Sequence, residues 1–310
     1  MGNREKVSGN GSDRKSFKLV FWLFVAKIAL ILLLAGFAVW LIYVVKQAVT
    51  GDNSGLHFKH ITGSGYTQNG KLWVASDSGL AGYHDGKWSR SSENKTKGTF
   101  FLPVDNGYFR ITGKTIEYIA DGKVITKNEL PAGLGKGVWA AGYKSHAISH
   151  LSRDQLSISV DSGNSWEDQQ LEGIKGNPQQ LAIDPGNDRN FAVATDRGLY
   201  LTSDGGKTGI AMLKGENVTS VSYGFNSRQT LLAGTSGDET ALYSIIPDED
   251  KAIHLDIGSV ESDRLIQIKQ NPVRHQEAVL ITAGGNIYMT ENGGQNWVII
   301  AQNGRALSLH

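Results

Sequence analysis

The sequence predicts an all-β chain: a β-propeller of six four-stranded blades, preceded by one transmembrane helix. Three observations carry this. Strand-and-turn units recur with a period of about 43 residues, and most close on an Asp-Gly or Asn-Gly hairpin. Glycine is abundant, 38 of 310 residues, while proline contributes only 6, a balance that suits tight turns in a folded chain better than disorder. Near the N-terminus, Ile28 to Val45 is apolar and free of charge.

In chain order, residues 1–18 form a basic segment in which Arg4, Lys6, Arg14, Lys15 and Lys18 face only Glu5 and Asp13. Residues 19–45 read as a signal-anchor helix. The stretch Ile28–Val45 alone spans about 27 Å at ~1.5 Å per residue, against a bilayer core of ~30 Å. Leu19 to Ala26 extend it, Lys27 can snorkel to the near interface, and Trp22 and Tyr43 sit near the two ends. A cleaved signal peptide is the alternative. It would have an apolar region of roughly 7–15 residues followed by a small-x-small site, whereas Val45-Lys46-Gln47-Ala48 offers no such site. Because the cations precede the helix, the N-terminus is expected in the cytoplasm and residues 51–310 outside, in a single-pass cell-membrane topology with the lipid bilayer as one partner. Residues 46–55 are a linker.

Residues 56–310 hold the repeats. The clearest are LWVASDSGLAGYHDGKW (72–88), FAVATDRGLYLTSDGGKT (191–208) and VLITAGGNIYMTENGGQNW (279–297). Weaker copies run over 109–123, 147–166 and 231–250, with further alternating segments at 219–225 and 265–270. Residues 179–213 illustrate one full blade, with strands QQLAID, FAVAT, LYLTS and GIAML. A ~43-residue period with four strands per unit is a propeller signature, and it divides 56–310 into six blades, or seven if the termini contribute split strands.

Composition narrows the chemistry. Cysteine is absent, which excludes disulfides, thiolate metal sites, lipoprotein anchoring and a cysteine nucleophile. The net charge of +1 conceals a basic N-terminus and a mildly acidic remainder, so no nucleic-acid footprint exists. His57-x-x-His60 and His146-x-x-x-His150 are the only close histidine pairs. Strand geometry separates them too widely for one ion, so they read as packed or exposed residues, with no metal and no cofactor expected.

Three hairpins share one pattern: Ser159-x-Asp161-x-Gly163-x-Ser165-Trp166, Thr202-x-Asp204-x-Gly206-x-Thr208 and Thr290-x-Asn292-x-Gly294-x-Asn296-Trp297. An Asp or Asn side chain accepts hydrogen bonds from nearby backbone N–H groups, glycine tolerates positive φ, and the Trp covers apolar surface. The pattern resembles the Asp-box (BNR) repeat of sialidases, sortilin-type receptors and photosystem II assembly-factor propellers. From about His60 to Trp297 the chain also resembles bacterial glycosylhydrolase-like, BNR-repeat envelope propellers. HITGSGY (60–66), SDSGLAGYHDGKW (76–88), PVDNGY (103–108), GYKSHAIS (142–149) and TDRGLYLTSDGGKT (195–208) carry that likeness, while Thr62 stands where a second histidine would be expected. The resemblance implies that the Asp boxes lie at the turns between third and fourth strands, away from the ligand face, and so speak for fold and not for activity.

For ligands, the turns between second and third strands gather Asp77, Lys114, Arg153, Asp154, Asp196, Arg197, Asp238 and Glu239 at the expected channel mouth. This mixed ring suits a polar ligand, a glycan or an envelope protein. The function expected is therefore binding or scaffolding at the cell envelope. The alternative is glycosidase-like, sialidase-type hydrolysis of extracellular glycans. Arg110, Arg153 and Arg197 would then bind a substrate carboxylate, although no nucleophile can be assigned beside them.

Overall fold

The computed structural model describes residues 25–41, 56–58, 60–91, 99–225, 231–258, 260 and 263–307. The chain divides into two compact units, Met1–Asp52 and Asn53–His310. In the first, residues 25–41 are helical, a length of about 26 Å at ~1.5 Å per residue. No helix among the described residues is long and apolar enough to cross a membrane. Residues 19–24 and 42–45 of the expected anchor lie outside the described residues, as does the basic segment 1–18.

The second unit is a ring of six sheets. Blade 1 contains β1 (Ile61–Tyr66), β2 (Leu72–Ser76), β3 (Gly79–His84) and β4 (Lys87–Arg90). Blade 2 contains β5 (Thr99–Val104), β6 (Gly107–Thr112), β7 (Thr115–Ala120) and β8 (Lys123–Glu129). Blade 3 contains β9 (Val138–Ala141), β10 (Ile148–Ser152), β11 (Gln155–Ser159) and β12 (Glu167–Gln170). Blade 4 contains β13 (Pro178–Asp184), β14 (Asn187–Thr195), β15 (Gly198–Thr202) and β16 (Ile210–Met212), matching the four strands read from 179–213. Blade 5 contains β17 (Val218–Tyr223), β18 (Leu231–Ser236), β19 (Thr240–Ile246) and β20 (Lys251–Leu255). Blade 6 contains β21 (Leu265–Gln270), β22 (Ala278–Thr282), β23 (Ile287–Thr290), β24 (Val298–Gln302) and a short fifth strand, β25 (Arg305–Ala306).

Every sheet is antiparallel and in chain order, so each blade is a plain meander with its first strand innermost. Tight Asp-Gly and Asn-Gly turns make this local. Asp85-Gly86, Asp121-Gly122 and Asn303-Gly304 all take positive φ at both residues, the geometry that matches the right-handed twist of a two-residue hairpin.

The termini explain why no seventh blade forms. The strand hairpin β24–β25 leaves an open edge, and the segment Leu56–Phe58 pairs onto it: the Phe58 N–H donates to the Gly304 carbonyl at 2.7 Å, and Ala306 N–H donates to Leu56. The two ends of the domain thereby meet on one sheet and close the ring.

Six apolar clusters fill the six seams between blades. This is why inner strands such as β14 and β18 are apolar on both faces, with none of the simple alternation of a one-sided sheet. The seam between blades 6 and 1 is broad: Leu72, Val74 and Tyr83 pack against Val279, Ile281 and Met289. The seam between blades 1 and 2 is thin, with only Ala75, Leu80 and Phe101 fully buried. There blade 2 presents Arg110, whose guanidinium donates to Glu117 at 2.6 Å while Lys127 lies 3.0 Å from the same carboxylate. Burial alone would raise Glu117, but the hydrogen bonds from Arg110 and Lys127 hold its carboxyl below the usual range.

Trp88 binds the closing seam together. It is 4% exposed, its indole lies 4.7 Å from the Phe58 ring and 5.0 Å from Tyr83, and its N–H donates to the Ile300 carbonyl of blade 6. Trp88→Ala is expected to cost about 3–5 kcal/mol, the usual range for deleting a buried aromatic. Urea unfolding checks this, and a midpoint within error of wild type would show that the seam does not depend on the ring.

Candidate functional site

The innermost strands of all six blades surround a central channel of about 380 Å³. Its wall sets aromatic residues, Phe100, Trp139, Tyr143, Tyr223 and Phe225 among them, beside hydroxyl and amide side chains such as Ser64, Gln180 and Gln267. Tyr143 follows β9 and Phe225 follows β17, and their rings meet edge to face at 4.7 Å, linking blades 3 and 5 across blade 4. Burial pushes the Tyr143 and Tyr223 hydroxyls well above the ordinary tyrosine range, so both stay neutral.

Register explains what points inward. In blades 1, 4, 5 and 6 the innermost strand carries a bulge at its start, in the same position of each pair. A bulge re-aims the side chains that follow it. Wall glutamines then lace neighbouring blades. The Gln180 carbonyl oxygen accepts from the Val221 N–H, the Gln270 amide donates to the Ser222 carbonyl, and the Ser64 hydroxyl donates to Gln267. Among the described residues the wall carries one charged side chain, Lys269, and no Asp or Glu.

The residues assigned from sequence to the ligand face do lie in the turns between second and third strands. None of Asp77, Lys114, Arg153, Asp154, Asp196, Arg197, Asp238 and Glu239 lines the channel. Those turns belong to the second shell of strands, outside the innermost ring. Asp77 pairs with His60 at 2.8 Å, and Asp196 accepts from the backbone and the side chain of Asn177, whose amide holds that carboxyl below its usual range. Arg197 joins Lys175 and Lys214 around a separate cavity of about 500 Å³ on blade 4, backed by Leu199, Tyr200 and Ala211. The arginines are not brought together as a carboxylate clamp: Arg110 is held by Glu117 inside blade 2, whereas Arg153 and Arg197 occupy turns of blades 3 and 4. His146 hydrogen-bonds Asp105 at 2.7 Å, and His150 is buried against Trp139, which lowers its pKa. Among the described residues no cluster of three or more metal-ligating side chains occurs.

The three patterned hairpins share one circuit. The Ser159 hydroxyl donates to Asp161 and accepts from the Gly163 N–H, while the Ser165 N–H and hydroxyl both donate to the Asp161 carboxylate. Thr202, Asp204, Gly206 and Thr208 repeat it, and Thr290, Asn292, Gly294 and Asn296 repeat all but the last side-chain bond, Asn296 donating only its backbone N–H to Asn292. Gly163, Gly206 and Gly294 have φ of 89°, 89° and 91°. A Cβ on Gly206 would also strike Leu171, and one on Gly163 would strike Ile116, so both glycines are required twice over. Trp166 and Trp297 are only half-buried, because these turns sit at the rim and a neighbouring blade covers one face of each indole; Trp166 meets Trp139 edge-on at 6.0 Å.

No protein-family model and no curated protein matches the chain. Among solved structures, a GH74 enzyme of Niastella koreensis is similar at 15% identity and TM-score 0.55, covering 80% of this chain and 46% of that one. A GH74 xyloglucanase from Xanthomonas campestris is similar at 14% identity and TM-score 0.53, again over 80% and 46%. YCF48 bound to D1 peptide aligns at 15% identity over 78% of this chain and 81% of that one, with TM-score 0.49. The chain thus spans about half the length of the two GH74 proteins, and the likeness is one of fold.

The hairpin circuits titrate. Hydrogen bonds from Ser165 hold the Asp161 carboxyl well below the usual carboxylate range, and those from Thr208 do the same for Asp204. A depressed folded pKa contributes stability that is complete above the unfolded value of about 4 and is lost as pH falls through the folded one. The melting temperature should therefore drop on acidification below about pH 4. An Asp161→Asn/Asp204→Asn protein, imitating Asn292, should lose less over the same interval. Parallel acid slopes in calorimetry would show that these carboxylates do not contribute.

Proposed function

We propose that this chain is a membrane-anchored propeller whose extracytoplasmic domain binds a ligand in its central channel, acting as a binding or scaffolding module at the cell envelope. The observation that carries the reading is the channel wall. It sets aromatic and aliphatic side chains beside hydroxyls and amides, a surface that recognises a molecule and supplies no acid–base pair from the described residues. The anchor rests on the apolar run Ile28–Val45, and its orientation rests on the cations of residues 1–18. The hairpin circuits support an Asp-box type of propeller, whose outer surfaces meet an envelope protein or a glycan while the channel takes its ligand.

The hydrolase alternative draws on the fold shared with the GH74 enzymes, and fold alone does not carry activity. Paired-carboxylate hydrolysis needs two acids roughly 5–10 Å apart at the substrate. In this chain Asp77 and Asp196 are occupied in the turns, and the channel wall offers neither.

A photo-cross-linking amino acid at Phe100 in the channel should capture a discrete adduct in living cells, whereas one at Val124 on the outermost strand of blade 2 should not. Equal adducts from both positions, or release of sialic acid or xyloglucan fragments by the purified protein, would overturn the reading. Protease added to spheroplasts should digest the propeller and leave a short N-terminal stub; a protected propeller would reverse the orientation.

A further inference from the structure

We propose that the channel's ligand is a small organic acid whose carboxylate pairs with the ammonium of Lys269. This rests on the channel being the binding site and names what it takes. Lys269 is the one charge in the wall among the described residues, and it has no hydrogen-bond or ion-pair partner among them. The polar groups beside it are committed elsewhere, since Gln267 and Gln270 on the same strand bond to blades 1 and 5. A charged amine in an apolar surround without a partner is costly, and a bound anion removes that cost.

Space lies in front of it. In blades 1, 4 and 5 the residues at the register position of Lys269, the third pair after the bulge of the innermost hairpin, are Gly65, Ala182 and Ser222. Blades 1 and 5 flank blade 6 in the ring, so at this level Lys269 has short neighbours on both sides. Phe100 and Trp139 supply flat apolar surface for the rest of the ligand. A volume of about 380 Å³ is at the small-molecule end of ligand cavities. A single ammonium balances one negative charge, which favours a monocarboxylate over a phosphate dianion.

Burial lowers the Lys269 pKa to about 8, so the amine is mostly protonated at neutral pH yet unusually nucleophilic among lysines. The other titratable groups facing the channel, Tyr66, Tyr143 and Tyr223, are all raised by burial and keep their protons through this range. Affinity for a carboxylate should therefore weaken as pH rises through about 8.

The test uses the full chain in detergent micelles, with benzoate and hexanoate as probes and benzamide and hexanamide as neutral counterparts. Acetylation by acetic anhydride is followed at each lysine by peptide mass spectrometry. Either acid at millimolar concentration should slow modification of Lys269 by about tenfold, a 1.4 kcal/mol effect, and leave the exposed Lys123 unchanged. The amides should protect neither. The melting temperature should rise with the acids in wild type and in Lys269→Arg, and should not rise in Lys269→Gln. The labelling experiment needs only wild-type protein, so the proposal stands or falls even if Lys269→Gln does not fold. Equal protection by the amides would overturn the carboxylate assignment and leave the channel-binding reading intact. Protection by oligogalacturonate or an acidic peptide alone would also overturn it, as would protection by neither acid.

Discussion

Closure of the ring is the constraint on which the rest of this structure depends. A blade has two apolar faces and no lining of its own, so it is stable only when both faces meet a neighbour. Five seams follow from chain order, but the sixth requires the two ends of the domain to find each other. Leu56–Phe58 on the edge of β25, and Trp88 reaching the Ile300 carbonyl, accomplish this. With the ring shut, the innermost strands cannot splay, and the channel acquires a fixed width and a fixed register. The bulges and the glutamine lacing then decide which side chains enter it.

Much of the architecture was legible in the sequence because its signals are local. An Asp-Gly or Asn-Gly pair fixes a hairpin within a few residues, and the strands of blade 4 fall where the alternating segments of 179–213 placed them. The shared polar circuits around Asp161, Asp204 and Asn292 are similarly short-range. The site is not local. Its wall is assembled from residues of six distant strands, and in four of them the inward direction depends on bulges that no single segment announces. Turn residues such as Asp238 and Glu239 are conspicuous in the sequence because they are charged and recur, and in the ring they lie in the turns between second and third strands. The useful signal was an anomaly: a lysine in the middle of LIQIKQ, where an innermost strand has little reason to carry one.

The half-buried Trp166 and Trp297 teach the same point from the opposite side. The hairpin pattern specifies where an indole leaves the chain, and the depth of burial depends on how far the next blade extends over that rim. Arg110 is a further case. Its spacing from Arg153 and Arg197 suggested a shared role, but register across the sheet places Glu117 directly beside it and turns it into an internal ion pair.

The seams are unequal, and the inequality runs against the covalent chain. The broadest apolar contact joins blades 6 and 1, which lie farthest apart along the chain and are tied by the short segment Leu56–Phe58 leading from the edge of β25 into β1, and the thinnest joins blades 1 and 2, which are consecutive in the chain. The consequence concerns how the domain can be rewired. A circular permutant that fuses the present ends and opens the chain between blades 1 and 2 would give up the tether at the one seam that has little apolar contact to replace it. Opening the chain between blades 4 and 5, where Ala192, Leu199, Val221 and Leu231 form a deep shared core, would leave a ring held together by packing at its new break.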